Sequence, residues 1–96
     1  MRLVYSPEAV QDLVRLRQFV AEKDPAAAAR IAAELVARVE QLLTFPEMGR
    51  PVPQCPEPGA VRDFVFGSYI VRYTVHPSAL AILRIWHQLE HQRSST

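Results

Sequence analysis

Arg62, Arg72, Arg84 and His87 are the residues of this chain whose types fit a chemical role, and all four lie in its second half. Together they could hold a phosphate and move a proton. Phosphoryl transfer needs a base to take the nucleophile's proton, cations to stabilise the charged transition state, and an acid for the leaving oxygen. His87 belongs to the pKa class suited to proton transfer near neutral pH. Arginine grips phosphate bidentately but stays protonated, so it is a poor proton acceptor. Lys23 is the only lysine and is remote in sequence from the four. The cluster is therefore expected to bind charge rather than to run acid–base chemistry. Each member also has an ordinary structural role open to it: Arg72 and Arg84 as solvated or paired sheet residues, with Asp63 the partner of Arg72, and His87 as a strand-end hydrogen bonder.

Other residue types add little chemistry. Cys55 is the single cysteine, in a proline-rich stretch, and cannot form an internal disulfide. His76 and His91 have no ligand spacing with each other or with Cys55, and no glycine-rich phosphate loop is present, so neither a metal nor a cofactor is expected. Trp86 and Tyr69 could line a binding surface, although aromatic residues at strand spacing are more often core. Arg50, in Gly49-Arg50-Pro51, is a candidate for target contact or for tying a loop to the sheet.

These residues need elements to position them. Arg2 to Tyr5 reads as a short strand, halted at Ser6-Pro7-Glu8, where Ser6 suits a helix cap and Pro7 the first turn. Ala9, Leu13, Leu16 and Val20 recur at helical spacing, predicting a first helix over about 7–22, with Asp12, Arg15, Gln18 and Glu22 on its polar remainder. Asp24-Pro25 repeats the start signal, and helical period continues to Phe45-Pro46. The tight connection at Lys23-Asp24 predicts an antiparallel helical hairpin. The prolines and glycines between Pro46 and Gly59 predict a crossover loop.

From Ala60 onward, β-branched and aromatic residues predict three strands, turned at Gly67-Ser68 and at His76-Pro77-Ser78-Ala79. A regular hairpin at Gly67-Ser68 sets Asp63 opposite Arg72, sharing a face with Val65 and Ile70. Arg62 then falls on the other face with Phe64, Val71 and Tyr73, unless a bulge intervenes. The expected class is α+β, in the order β-α-α-β-β-β, with the hairpin packed on one face of a small antiparallel sheet that the first strand joins. The other face is left to solvent or a partner.

Composition sets the frame. Ninety-six residues, 49% apolar and 22% charged, suit one domain over 1–96 with a single modest core. A net charge of +1 gives no general field for nucleic acid, so any such contact must rest on a local patch. No apolar run approaches the roughly 20 residues of a membrane span, and the opening residues lack a signal-peptide core, so a cytoplasmic location is expected.

Four segments in this order carry a resemblance: Pro46-Glu47-Met48-Gly49-Arg50-Pro51-Val52, Val61-Arg62, Gly67-Ser68-Tyr69-Ile70-Val71-Arg72-Tyr73, and Ile82-Leu83-Arg84-Ile85-Trp86-His87. With Tyr5-Ser6-Pro7-Glu8-Ala9 and Asp12-Leu13 at the start, the chain resembles the RelE/ParE toxins of type II toxin–antitoxin systems, over nearly its whole length. The resemblance implies a toxin held inactive by a cognate antitoxin, touching DNA only through the antitoxin complex. ParE-like members poison DNA gyrase. RelE-like members cleave messenger RNA on the ribosome, with basic residues and a terminal Tyr or His whose position His87 resembles. Those nucleases carry lysines around the sheet, which this chain lacks, so the expectation is a ParE-type toxin and not an enzyme. The alternatives are a metal-independent endoribonuclease using Arg62, Arg72, Arg84 and His87, and a non-toxic relative acting as a binding module in operon regulation. Arg50, Arg62, Arg72, Arg84, Trp86 and His87 are the expected target-binding candidates.

Overall fold

The structure, a computed structural model, describes residues 1–90. The chain runs β1 (Arg2–Tyr5), α1 (Pro7–Lys23), α2 (Pro25–Glu40), a 3₁₀ turn (Gln41–Leu43), β2 (Arg50–Pro51), β3 (Val61–Phe66), β4 (Tyr69–Val75) and β5 (Ala79–His87). The capping signals are realised in atoms. Ser6 Oγ accepts the Ala9 N–H at 3.0 Å, with Pro7 in the first turn of α1. Asp24 serves both helices, donating its N–H to the Val20 carbonyl at 2.8 Å and accepting the Ala27 N–H on its carboxylate at 3.1 Å. One residue thus ends α1, starts α2 and fixes the hairpin. The helical period predicted as far as Phe45 breaks earlier, tightening into the 3₁₀ turn after Glu40.

The five strands form one mixed sheet in the order β1-β5-β4-β3-β2. β1 joins the sheet as expected, and runs parallel to β5. The crossover region holds one element the sequence reading missed. Arg50 and Pro51 pair with Asp63 and Arg62 as an edge strand too short to show any alternation. β3 and β4 form the hairpin in the expected register, with Asp63 opposite Arg72 and Val65 opposite Ile70.

The helical hairpin covers one face. Leu16 of α1, Leu35 and Val39 of α2, and Leu42 of the 3₁₀ turn pack with Val71, Tyr73, Leu80, Ile82 and Ile85 in a single core. Burying each large aliphatic side chain contributes about 1.5–3 kcal/mol. Ala27 and Ala28, also buried, keep the start of α2 slim. Ile82 and Ile85 are both fully buried although a regular strand would send them to opposite faces. A bulge resolves this: Arg72 lies opposite Arg84 and Tyr73 opposite Ile82, leaving Leu83 as the extra residue.

Candidate functional site

The register decides which candidates meet. Arg62 lies opposite Tyr73, His87 opposite Tyr69, and both tyrosines are buried on the helix-covered face. Arg72 and Arg84 face each other on the open side. Tyr69 and Tyr73 are four residues apart on β4, which separates Arg62 from His87 by about 13 Å along the strand at roughly 3.3 Å per residue. The proposed catalytic set of Arg62, Arg72, Arg84 and His87 is therefore divided between two faces, and its helix-side half is divided again between two ends. The bulge that would have aligned Arg62 with Arg72 is absent, because the irregularity lies in β5.

Each candidate has a defined setting. Arg62 donates from Nη1 to the Gly49 carbonyl at 2.8 Å and the Glu47 carbonyl at 3.4 Å, tying the loop to the sheet. Sequence had offered that task to Arg50, which instead stands exposed on β2. The His87 ring meets Phe19 at 5.5 Å and the edge of Tyr69 at 5.0 Å. Its Nδ1 accepts the Leu89 N–H at 3.0 Å, so a neutral ring carries its proton on Nε2. Tyr69 is core, while Trp86 is half-buried under Arg72, whose guanidinium lies 5.2 Å from the ring centre. His91 lies outside the described residues.

Asp12 organises the open-face cations. It is 2% exposed, and accepts two hydrogen bonds from Arg84 at 2.8 and 3.2 Å, one from the Ile85 N–H at 2.8 Å, and one from Arg15. Arg15 also pairs with Glu90, at 2.9 Å, and Arg72 holds Asp63 bidentately at 2.8 and 2.9 Å. Burial pushes the Asp12 carboxyl up, but Arg84, the Ile85 N–H and Arg15 more than offset it and leave the group below the usual aspartate value. The guanidiniums move the other way, Arg15 chiefly through Glu90, Arg72 through Asp63 and Arg84 through Asp12, all more firmly protonated.

This network also closes a sheet edge. β1 covers β5 only as far as Ile82, and beyond that side chains take over. Ser6 donates its N–H to the Ile82 carbonyl and its Oγ to the Leu83 carbonyl, both at 2.9 Å. Asp12 takes the Ile85 N–H, Arg15 reaches the Ile85 carbonyl, and Glu90 takes the His87 N–H. α1 thereby does for the end of β5 what a longer β1 would do.

Arg15, Asp63, Ile70, Arg72, Arg84, Trp86 and Glu90 line a shallow depression of about 670 Å³ on this side. A second concavity, of similar volume and more apolar, is lined by Val75 of β4, Gly59, Arg62 and the exposed Phe45 and Met48. Among the described residues no three metal-ligating side chains lie together, and no helix is long and apolar enough to cross a membrane.

A family model described as the ParE toxin of the type II toxin–antitoxin system parDE matches residues 3–91. Toxin RelE1 of Caulobacter vibrioides is 34% identical over 88 residues, covering 92% of this chain and 94% of that protein. Toxin RelE3 of the same organism is 36% identical over 84 residues, covering 88% and 90%. A solved chain of the chromosomal ParDE TA system from P. aeruginosa superposes with a TM-score of 0.78 at 23% identity, covering 91% of this chain and 95% of that one, and so shares the fold.

Proposed function

The chain belongs to the ParE toxin family of type II toxin–antitoxin systems, and from that premise we propose that it arrests growth by binding and poisoning DNA gyrase rather than by cutting messenger RNA. The family assigns it the toxin's role and a cognate antitoxin as counterpart. The observation that carries the finer reading is the state of the arginines. Arg15, Arg72 and Arg84 on the open side are matched to Asp12, Asp63 and Glu90, so the cluster is internally neutralised. A transition state gaining negative charge gains little from cations already committed to carboxylates. The imidazole does not join them either, since His87 lies on the opposite face, and the carboxylates among them are each held by guanidiniums. What remains is a rigid, patterned surface suited to recognition.

The test begins with expression. The protein alone is expected to halt growth, and co-expression with the antitoxin encoded beside it to restore growth; normal growth at high soluble levels of the lone protein contradicts a toxin's role and favours a non-toxic binding module. His87→Gln sharpens the test. A general acid or base would lose about 10²–10⁴ in rate on this change. Here the ring packs between Phe19 and Tyr69, so the variant is expected to keep arrest within about threefold, the scale of a modest contact change. Loss of arrest by a folded His87→Gln protein would argue for the nuclease.

A further inference from the structure

The strand register lines up Arg50, Asp63, Arg72 and Arg84 across β2, β3, β4 and β5, each directly opposite the next, in one row on the open face. Two residues along each strand, toward the Gly67–Ser68 turn, stands a second row of Val65, Ile70 and Trp86. The first row is charged and the second apolar, and Val65 is 53% exposed. We propose that this double row is the surface by which the toxin grips its protein target, and that the segment it takes presents a carboxylate to Arg50 beside an apolar side chain laid over Val65, Ile70 and Trp86. The inference rests on the reading of the chain as a target-binding toxin and names the chemistry of its binding face.

Charge selects the occupant. Arg72 is committed to Asp63 and Arg84 to Asp12, whereas Arg50, among the described residues, has no carboxylate within ion-pair distance. Counting Arg15 and Glu90 at the end of the row, four guanidiniums meet three carboxylates, leaving one positive charge to satisfy. A nucleic-acid strand presents a phosphate at every step and is held by several uncommitted cations, with an affinity that grows with their number. One spare cation next to an apolar strip matches instead a protein segment with a single acidic residue among apolar ones.

Preorganisation favours binding at this place. Arg72 is locked by two hydrogen bonds to Asp63 and laid over Trp86, and Arg84 is clamped by Asp12, so little side-chain freedom is lost on docking. Arginine and tryptophan beside a desolvatable apolar strip are also the residue types that dominate protein interfaces. Arg50 is the specificity-determining member, since among the described residues of the row its charge alone is unanswered.

The experiment compares purified wild-type toxin with Arg50→Glu, Arg50→Gln and Val65→Glu, and with Arg30→Glu on the exposed surface of α2 as a control. The readouts are growth arrest, inhibition of gyrase supercoiling, neutralisation by the antitoxin, and retention of a messenger RNA fragment, with thermal melting to confirm folding. Arg50→Glu and Val65→Glu are expected to weaken arrest and gyrase inhibition together by about 10–100-fold, Arg50→Gln by less, and Arg30→Glu not at all. Folded open-face variants with full arrest overturn the proposal. So does loss of antitoxin neutralisation with arrest intact, which assigns the face to the antitoxin, or RNA retention that Arg50→Gln abolishes, which assigns it to nucleic acid. If wild-type protein arrests growth without touching gyrase, the gyrase reading fails while the growth comparison still decides the surface.

Discussion

Replacing Asp12 by alanine is expected to lower stability by about 2–4 kcal/mol, a large share of what a domain of this size has to lose. The carboxylate is buried, and three groups depend on it: the Ile85 N–H and Arg84 of β5, and Arg15 of its own helix. The two arginines are about half exposed and recover hydration when their partner is removed, so they contribute the smaller part. The Ile85 amide cannot. It faces a stretch of β5 edge that no strand covers, and alanine leaves it unpaired. Asn at this position keeps an acceptor and is expected to cost less.

The same group gives a pH dependence of definite sign. The folded carboxyl titrates below the ordinary aspartate value, so its stabilisation is complete above that value and is lost as pH falls through the depressed native one. Urea unfolding of wild type and Asp12→Asn is expected to show a gap near neutral pH that closes in acid. A gap that stays constant into acid contradicts the assignment of the effect to Asp12 ionisation.

Gly49→Ala is expected to destabilise by about 1–3 kcal/mol, the range for forced overpacking. A methyl at Gly49 would sit 2.7 Å from both Cε1 and the hydroxyl of Tyr73, and 2.9 Å from the Asp63 carbonyl oxygen. Tyr73 is fully buried and cannot yield, because its hydroxyl donates to the Pro46 carbonyl at 2.7 Å and accepts the Gly49 N–H at 2.9 Å. The loop must then shift and carry Arg50 with it, so toxicity should fall along with stability. Tyr73→Phe removes the tie without the clash and is expected to cost about 1–3 kcal/mol for two stranded polar groups. Combining the changes should be less than additive, since the phenylalanine removes one of the two side-chain collisions. Denaturant midpoints of both single variants and the double variant measure this; full additivity would mean that Gly49 and Tyr73 act independently.

Much of the scaffold was legible because it rests on local chemistry. Ser6 and Asp24 are caps by residue type, and Gly67-Ser68 fixes a hairpin register from which the Asp63–Arg72 pairing and the opposite facing of Arg62 follow by alternation alone. The bulge at Leu83 was not legible, since it answers to packing: both Ile82 and Ile85 must reach the core. β2 was hidden because two residues carry no period. Asp12 was misjudged as part of the polar decoration of α1. Its spacing held a signal, three residues after Ala9 and four before Leu16, which places it on the buried side. A carboxylate at such a position needs partners, and they came from β5, far away in sequence.

The same long-range pairing is why the candidate site changed character. Read linearly, Arg62, Arg72, Arg84 and His87 form a cationic cluster with a proton carrier. Folded, they become a loop tie, two neutralised guanidiniums and an aromatic-packed histidine.

The most direct test of a gyrase poison against a messenger-cutting toxin is to follow both targets in the same cells after induction of the toxin without its antitoxin. Covalent gyrase–DNA cleavage complexes should accumulate, while the ends of ribosome-bound messenger RNA keep the pattern of uninduced cells. Codon-phased messenger cuts with gyrase untouched would contradict the account and make the chain a ribosome-dependent nuclease.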